Sequence, residues 1–335
     1  DDKKSGIFLY GQNRKRDAFD ENGDGYSELV ELRNITSGFR AFHKFSKTTK
    51  LEAEFMNIKE FRRGGNKLNM LPHEADIAEQ LDHDIVGGNL NLDIYTNKIQ
   101  QNKLSVYASV QSIDRNSYYG AQQDMNAYGK TTDLTSAVGA QYTSNFENLF
   151  FAPATLTIGA ENSNSTLNDI KLGASGLPNI NISDQTLNTA GFYTQNEWKT
   201  GKLKLLIGFR YDNYLIKDNQ GEQKDINGNV VVPRANILYD ITEELQFRVS
   251  YSSGYRAPQI YDEDLHIEAS GSRRVIHKNA DDLIQENSNS FSGSLNYHKK
   301  FGNVHSEFLL EGFCTILENP FANKYGAPDS LGNVE

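Results

Sequence analysis

The sequence has almost no cysteine and no long hydrophobic run, and both absences exclude classes of protein. Cys314 is the single cysteine in 335 residues, which excludes a disulfide framework and a thiolate zinc site. The longest apolar run, at residues 149–152, is far shorter than the ~20 residues that a membrane-spanning helix needs. The chain is therefore neither a disulfide-rich scaffold nor a bundle of membrane helices.

Positive charge is also scarce. The chain has 34 basic and 44 acidic residues, for a formal net charge of −10, and no basic patch stands out. Because nucleic-acid phosphates bind to clustered lysine and arginine, we expect no nucleic-acid partner. No nucleophile elbow, phosphate loop or metalloprotease motif is present, and the carboxylates show no catalytic spacing. We therefore expect neither an enzyme nor a catalytic cofactor.

Aromatic residues and glycine are abundant, and they follow a period of two. The chain has 17 Tyr, 18 Phe and 27 Gly but only 7 Pro, a profile that favours strands and tight turns. In residues 245–252, for example, apolar Leu245, Phe247, Val249 and Tyr251 alternate with four polar residues. A period of two places alternate side chains on opposite faces of a sheet.

The alternation predicts about 13 strands, and many of them are longer than the usual 5–6 residues. A strand that crosses a membrane needs ~9–11 residues. The predicted strands are at 7–14, 28–45, 51–63, 86–97, 104–119, 134–146, 155–169, 189–199, 203–216, 233–241, 245–259, 291–300 and 304–318.

The connections between these strands alternate between short polar turns and long polar segments. The long segments are at 15–27, 64–84, 121–133, 169–187, 217–230 and 260–290. This rhythm is typical of outer-membrane barrels, which have short periplasmic turns and long extracellular loops. We therefore predict an all-β fold, a transmembrane antiparallel β-barrel whose polar face lines the lumen. A soluble β-sandwich or an extracellular β-repeat protein is the alternative, since both also alternate.

The odd strand count predicts that the barrel continues beyond these residues. Single-chain bacterial barrels have even strand numbers, and 13 strands alone leave an unpaired edge in lipid. The chain starts at Asp1 without a signal peptide and ends in loop-like sequence. We expect residues 1–335 to be part of one barrel domain of a longer protein.

One loop matches a calcium-binding pattern. Residues 20–31 fit D-x-[DN]-x-[DN]-G-x5-E, with no flanking helix that would make an EF-hand. The predicted ligands are the side chains of Asp20, Asn22 and Asp24, the carbonyl of Tyr26 and a bidentate Glu31. The alternative is a turn without metal, in which Asn-Gly and Asp-Gly steps supply the conformation.

Five tyrosines cluster near the long segments: Tyr118, Tyr119, Tyr128, Tyr255 and Tyr261. Their amphipathic rings suit a binding site for a large flat ligand on the extracellular side. They equally suit the interfacial aromatic girdle of a membrane barrel.

Two motifs in the second half of the chain carry a family resemblance. Residues 251–258, YSSGYRAP, resemble the FRAP region of TonB-dependent outer-membrane receptors. Residues 281–288, DDLIQENS, resemble the NPxLxPExS segment that follows it, with Leu283, Glu286 and Ser288 in frame. Residues 61–66, 72–80 and 114–120 are similar to receptors of the Bacteroidetes type. The chain thus resembles the barrel portion of this family.

The resemblance implies a 22-stranded barrel that encloses a plug domain, of which this chain would supply about the third to the fifteenth strand. It implies plug-gated active uptake, driven through TonB, of a scarce large nutrient across the outer membrane. A ferric siderophore or cobalamin is the first candidate, and haem the next. The implied partners are TonB, outer-membrane lipid, the small metal complex and, for glycan or peptide uptake, a surface lipoprotein.

The resemblance also suggests ligand residues. Arg256 of the YSSGYRAP motif is either a ligand contact or an interior barrel charge. His266 and His277 fall in the interval where haem receptors of this family carry an axial histidine, and imidazole ligates haem iron. Two hypotheses from other functional classes stay open. One is a passive porin or structural barrel of an envelope complex, and the other is a secreted calcium-binding β-protein.

Overall fold

The described residues form a single antiparallel sheet. The computed structural model describes residues 3–96, 102–173, 178–221, 223–258 and 283–322. Two short 3-10 turns, Pro72–Glu74 and Met125–Ala127, accompany the strands. The strands are β1 Ser5–Arg16, β2 Glu31–Lys44, β3 Thr49–Gly65, β4 Ile77–Tyr95, β5 Lys103–Ala121, β6 Tyr128–Leu149, β7 Ala152–Lys171, β8 Ile180–Thr200, β9 Leu203–Asp218, β10 Ile226–Asp240, β11 Leu245–Arg256, β12 Glu286–Phe301 and β13 Val304–Glu318.

Each strand pairs with the next one along the chain, so that the sheet order is the sequence order. The fold-class prediction is confirmed, and each predicted strand overlaps one observed strand. Within the described ranges, β1 and β13 pair on one side only. The sheet is therefore one stretch of a barrel wall. No helix among the described residues is long and apolar enough to cross a membrane.

Most strands extend further toward the long connections than the alternation predicts. β4 begins at Ile77 rather than 86, β6 at Tyr128 rather than 134, and β10 at Ile226 rather than 233. In the extensions of β4 and β6 both faces carry polar residues, so the hydrophobic alternation fades while the ladder of backbone hydrogen bonds continues. In the extension of β10 one face keeps Ile226, Val230 and Val232. Four long connections are correspondingly shorter than predicted, at 66–76, 122–127, 172–179 and 219–225. The first, at 17–30, is not, because β2 begins at Glu31 rather than at 28.

The two faces of the sheet differ in chemistry. One face, called here the outer face, exposes large apolar side chains along most of the wall: Ile7, Leu9, Phe55, Val86, Leu90, Val110, Val138, Phe192, Tyr211, Val231, Val249 and Leu295. The opposite inner face carries paired charged side chains, among them Arg40 with Glu54 and Arg210 with Asp212. A barrel wall that meets lipid outside and water inside has this distribution.

The turn end and the loop end of the wall are built differently. At the turn end, Phe151 stacks on Trp198 with ring centroids 5.4 Å apart, an arrangement typical of an interfacial aromatic girdle. At the loop end, small apolar clusters form, one around Tyr118 and one around Tyr214 and Ile216. Side-chain packing is thus concentrated where the long loops leave the strands.

Candidate functional site

The inner face carries a continuous set of polar contacts across β5 to β11. We call it the inner-wall network, and it consists of Tyr107, Gln141, Glu161, Tyr193, Arg210, Asp212 and Tyr255. Its centre is Arg210, whose Nε lies 2.8 Å from both carboxylate oxygens of Asp212. Nη2 of Arg210 lies 3.3 Å from Glu161. The seven residues come from six strands, and at their centre one guanidinium with two carboxylate partners joins β7 to β9.

Tyrosines complete the network on both sides of Arg210. The Tyr107 hydroxyl donates to Glu161 at 2.6 Å, and the Tyr255 hydroxyl donates to Asp212 at 3.1 Å. The Tyr193 ring lies 5.8 Å from the guanidinium carbon of Arg210, and its hydroxyl donates to Gln141 at 3.0 Å. Because each carboxylate has at least two partners, the network is held rigidly before any ligand arrives.

Glycines on the neighbouring strands make room for these side chains. Gly139 pairs with Tyr107, and Gly159 pairs with Tyr193. A β-carbon at either glycine would lie within 2.5 Å of the opposite ring. The rings can lie flat across the next strand only because these positions have no side chain, a known device in curved sheets.

The inner-wall network can bind and position a polar partner, but it is not arranged for covalent chemistry. It offers phenol rings, carboxylate oxygens and a partly exposed guanidinium on one surface. Arg210 is 34% exposed, whereas Asp212 is 3% exposed. Within the described residues, this network contains no serine, cysteine or histidine that a base activates. Its chemistry is that of a recognition surface.

Sequence reasoning identified only Tyr255 of this network. The other members lie on strands at ordinary alternating positions, and their composition does not set them apart. The sequence holds one signal that could have located the network, the isolated glycines inside predicted strands at Gly139, Gly159 and Gly191. A glycine in a strand interior often marks a site that another group approaches closely.

The predicted tyrosines do not form one group. Tyr118 and Tyr128 face each other across β5 and β6, with ring centroids 4.8 Å apart. His73 adds a hydrogen bond of 2.8 Å to the Tyr128 hydroxyl. Strand alternation places these two rings on the outer face and the neighbouring Tyr119 on the inner face. Their roles as ligand contacts stay predictions.

The YSSGYRAP motif lies at the loop end of β11. The Tyr255 ring stacks on Tyr214 at 6.1 Å and joins the inner-wall network through its hydroxyl. Arg256 places its guanidinium 5.4 Å from the ring centroid of Phe321. Ala257 packs into the apolar cluster around Tyr214, so the motif fastens the loop end to the wall. The predicted ligand residues Tyr261, His266 and His277 lie outside the described residues.

The acidic loop 17–30 differs in one ligand from the sequence pattern. Asp20 accepts hydrogen bonds from the amides of Gly23 and Gly25 at 2.7 and 2.8 Å. Carboxylate oxygens of Asp20, Asp24 and Glu28 lie within 4.8 Å of one another. Glu31 instead lies in β2 and pairs with Arg33 at 2.5 Å. The structure thus groups Glu28, and not Glu31, with the two aspartates. Asn22 and Tyr26 lie in the same turn. Calcium binding stays a prediction.

Solved structures with a similar wall include a ferric-catecholate import receptor and an iron transporter. The ferric-catecholate import receptor Fiu from E. coli aligns with 99% of this chain and 56% of its own, at 12% identity and a TM-score of 0.66. The FrpB iron transporter from Neisseria meningitidis aligns with 100% of this chain and 53% of its own, at 16% identity and a TM-score of 0.69.

A third similar structure is the haemophore receptor HasR from Serratia marcescens, solved with its haemophore HasA and haem. It aligns with 99% of this chain and 54% of its own, at 14% identity and a TM-score of 0.70. The chain spans about half the length of these structures. No curated protein matches it. At these identities the structures show a shared fold.

The family is shown by a match along almost the whole sequence. The family model for the β-barrel of TonB-dependent receptor-like proteins matches residues 6–330. The match agrees with the meander topology, the apolar outer face and the charged inner face. The chain therefore belongs to the TonB-dependent receptor β-barrel family, whose members lie in the bacterial outer membrane.

Proposed function

We propose that this chain is the barrel portion of a receptor that imports a scarce metal complex, a ferric siderophore or cobalamin, by plug-gated active transport. The observation that carries the proposal is the family match over residues 6–330 together with the preorganised polar network on the inner face. In the whole protein, a plug domain would occupy the lumen, and TonB would supply the energy for its movement.

The inner-wall network supports this proposal through its charge and rigidity. Its one guanidinium and two carboxylates present both signs on a surface that is fixed in advance. A preorganised surface binds a polar partner without the entropic cost of ordering its own side chains. Either the plug or the passing ligand would contact it, and both uses require the full-length protein.

A siderophore is favoured over cobalamin by what the similar structures bind. Fiu is described as a ferric-catecholate import receptor, and the similar PiuA from Acinetobacter baumannii as a siderophore receptor. Both proteins are 12% identical to this chain, and their descriptions place a siderophore first among the candidate ligands.

Haem is the second candidate. HasR, which shares the fold, was solved with a haemophore and haem. In the present sequence, His266 and His277 fall between the YSSGYRAP and DDLIQENS motifs, the interval where haem receptors of this family carry an axial histidine. A change in the haem Soret band on binding, lost in His266→Ala or His277→Ala, would identify such an axial ligand.

The test is binding of the full-length protein in detergent to ferric siderophores, cobalamin and haem, followed by tryptophan fluorescence or calorimetry. We expect saturable binding of one of these ligands and uptake that stops when TonB is deleted. Steady ion conductance in a planar bilayer without tight binding of any of them would instead establish a passive porin. Binding of oligosaccharides together with a lipoprotein would establish glycan uptake.

A further inference from the structure

A pocket lies at the loop end of β2, β3 and β4, away from the inner-wall network. It has a volume of about 460 Å³ and is covered by loop 66–76. Arg33, Phe61, Arg63 and Met70 contribute to its wall, together with Glu31 and Glu74. The loop is held closed at its base, where Asn66 donates to Asp76 at 2.6 Å and accepts from the Asp76 amide at 3.0 Å.

The pocket lies on the outer face of the wall. The pairing of β3 with β2 and β4 shows no register shift from Phe55 to Arg63. Arg63 is an even number of residues from the lipid-facing Phe55, so it lies on the same face. It also lies beyond Lys59, whose ion pair with Asp84 borders the apolar belt. This position corresponds to the headgroup side of the outer leaflet.

Arg63 is a buried cation with an unused donor. The residue is 2% exposed, and its Nη1 donates to the Gly64 carbonyl at 2.9 Å. Its Nη2 has no hydrogen-bond partner within the part of the chain that the structure describes. A buried charged donor without an acceptor is costly, so an acceptor from outside the chain would stabilise it.

The carboxylates of the pocket are already engaged elsewhere. Glu31 pairs with Arg33 at 2.5 Å, and Glu74 accepts a hydrogen bond from the Leu71 amide at 3.0 Å. Neither carboxylate takes up Nη2 of Arg63, so among the described residues this donor is available to an oxygen of an anion. The planar guanidinium matches phosphate and carboxylate oxygens, and Phe61 and Met70 add apolar surface beside it.

We propose that this pocket binds the phosphate of an outer-leaflet lipid headgroup, with Arg63 as the direct donor. The outer position of the pocket favours a lipid over the transported ligand, which would pass through the lumen. The proposal rests on the placement of the barrel in the outer membrane and not on the identity of the imported nutrient.

The test uses the full-length protein in a non-ionic detergent, with short-chain phosphatidic acid as the probe and native mass spectrometry or calorimetry as the measurement. Diacylglycerol with the same chains is the uncharged lipid, and inorganic phosphate is the lipid-free anion. We expect wild-type protein to bind one phosphatidic acid, and Arg63→Gln to weaken binding by about tenfold or more, the change that ~1.4 kcal/mol produces. Arg62→Gln is the matched control, since it removes the same charge from the opposite face, where Arg62 pairs with Glu60 at 2.7 Å.

A second variant distinguishes lost binding from a folding defect, which a substitution at the buried Arg63 could cause. Met70 is half exposed on the covering loop, so Met70→Trp fills the pocket without disturbing the sheet. It is expected to weaken phosphatidic acid binding as Arg63→Gln does. Equal lipid binding by wild type and both variants overturns the proposal. Binding of inorganic phosphate as tight as that of the lipid also overturns it, in favour of a soluble anion. In each case uptake of the nutrient is scored separately, so failure here leaves the receptor function untouched.

Discussion

At the scale of single residues, the inner face depends on positions that have no side chain. Gly159 lies beneath Tyr193, and Gly191 lies beneath Arg210 and Asp212. The glycines let neighbouring strands approach closely under large polar groups. The same backbone sites with alanine would push the ring or the guanidinium away from the wall.

We expect Gly159→Ala to destabilise the full-length barrel. A β-carbon there would lie 2.3 Å from the Tyr193 ring, so the ring and its hydrogen bond to Gln141 must shift. Overpacking of this kind costs about 1–3 kcal/mol. The measurement is thermal unfolding in detergent, followed by circular dichroism. Gly293→Ala is the control, because Gly293 lies in β12 with a paired strand on each side and its added carbon would lie 3.8 Å from the nearest atom, an ordinary contact. An equal effect of the two substitutions would contradict this explanation.

A largely buried ion pair of the wall, Arg210 with Asp212, should contribute more to stability than an exposed one, Lys59 with Asp84. Asp212→Asn leaves the guanidinium of Arg210 with less compensation in a buried setting, and we expect a loss of ~3 kcal/mol. This is the lower end of the usual range because Arg210 is partly exposed. Asp84→Asn breaks an exposed pair with Lys59 and should cost less than about 1 kcal/mol. Urea unfolding of both variants, at low and moderate salt, measures the two losses of unfolding free energy side by side.

At the scale of elements, two acidic residues, Glu28 and Glu31, are alternative calcium ligands beside the aspartates of loop 17–30. If calcium orders the loop, Asp20→Asn and Glu28→Gln should weaken its binding, whereas Glu31→Gln should not, because Glu31 pairs with Arg33 in β2. Calcium titration with protease protection of the loop measures this. A loss of binding in Glu31→Gln alone would favour the sequence pattern over the geometry. Protection that is the same with and without calcium would identify a metal-free turn.

Loop 66–76 should loosen in acid. The hydrogen bond from Lys67, and next that from Asn66, hold the pKa of Asp76 below its ordinary value of 3.8. A carboxyl with a lowered pKa contributes stability above its unfolded pKa and loses it as the pH falls through the folded value. We therefore expect the protection factors of this loop's amides, which are exchange rates corrected for the intrinsic pH dependence, to fall below about pH 3.8. Asp76→Asn should remove most of this fall, and protection factors that stay constant between pH 5 and pH 2.5 would contradict it.

At the scale of the whole molecule, the described wall has two open edges. β1 and β13 pair on one side only within the described residues, and open edges are costly in lipid because the backbone has no other partner there. We expect residues 1–335 alone not to form a stable barrel in lipid vesicles, whereas the full-length protein should. The difference in gel mobility between heated and unheated samples is the measurement. A heat-modifiable band from residues 1–335 alone would show that this chain closes by itself.

The sequence by itself determined the strands and their order. Alternation along β9 and β11, and the rhythm of short and long connections, follow from a wall with lipid on one side and water on the other. One turn was not predicted from the sequence. Phe150 and Phe151 join β6 and β7 without turn-forming residues, and Phe150 takes a positive φ of 67°. The extensions of β4 and β6 were not predicted either, because there both faces of the strand carry polar residues.

Only the tertiary structure decided which side chains meet. Tyr107, Glu161 and Arg210 are far apart in sequence, and the register of the strands brings them onto one surface. Tyr255 joins them through the hydrogen bond of its hydroxyl to Asp212. Tyr118 and Tyr119 are adjacent in sequence but lie on opposite faces. Glu28 replaces Glu31 beside the aspartates because β2 begins at Glu31 and fixes that residue in the ladder. Hydrophobic pattern is a local property that sequence records, whereas contacts between strands depend on a register that the whole sheet sets.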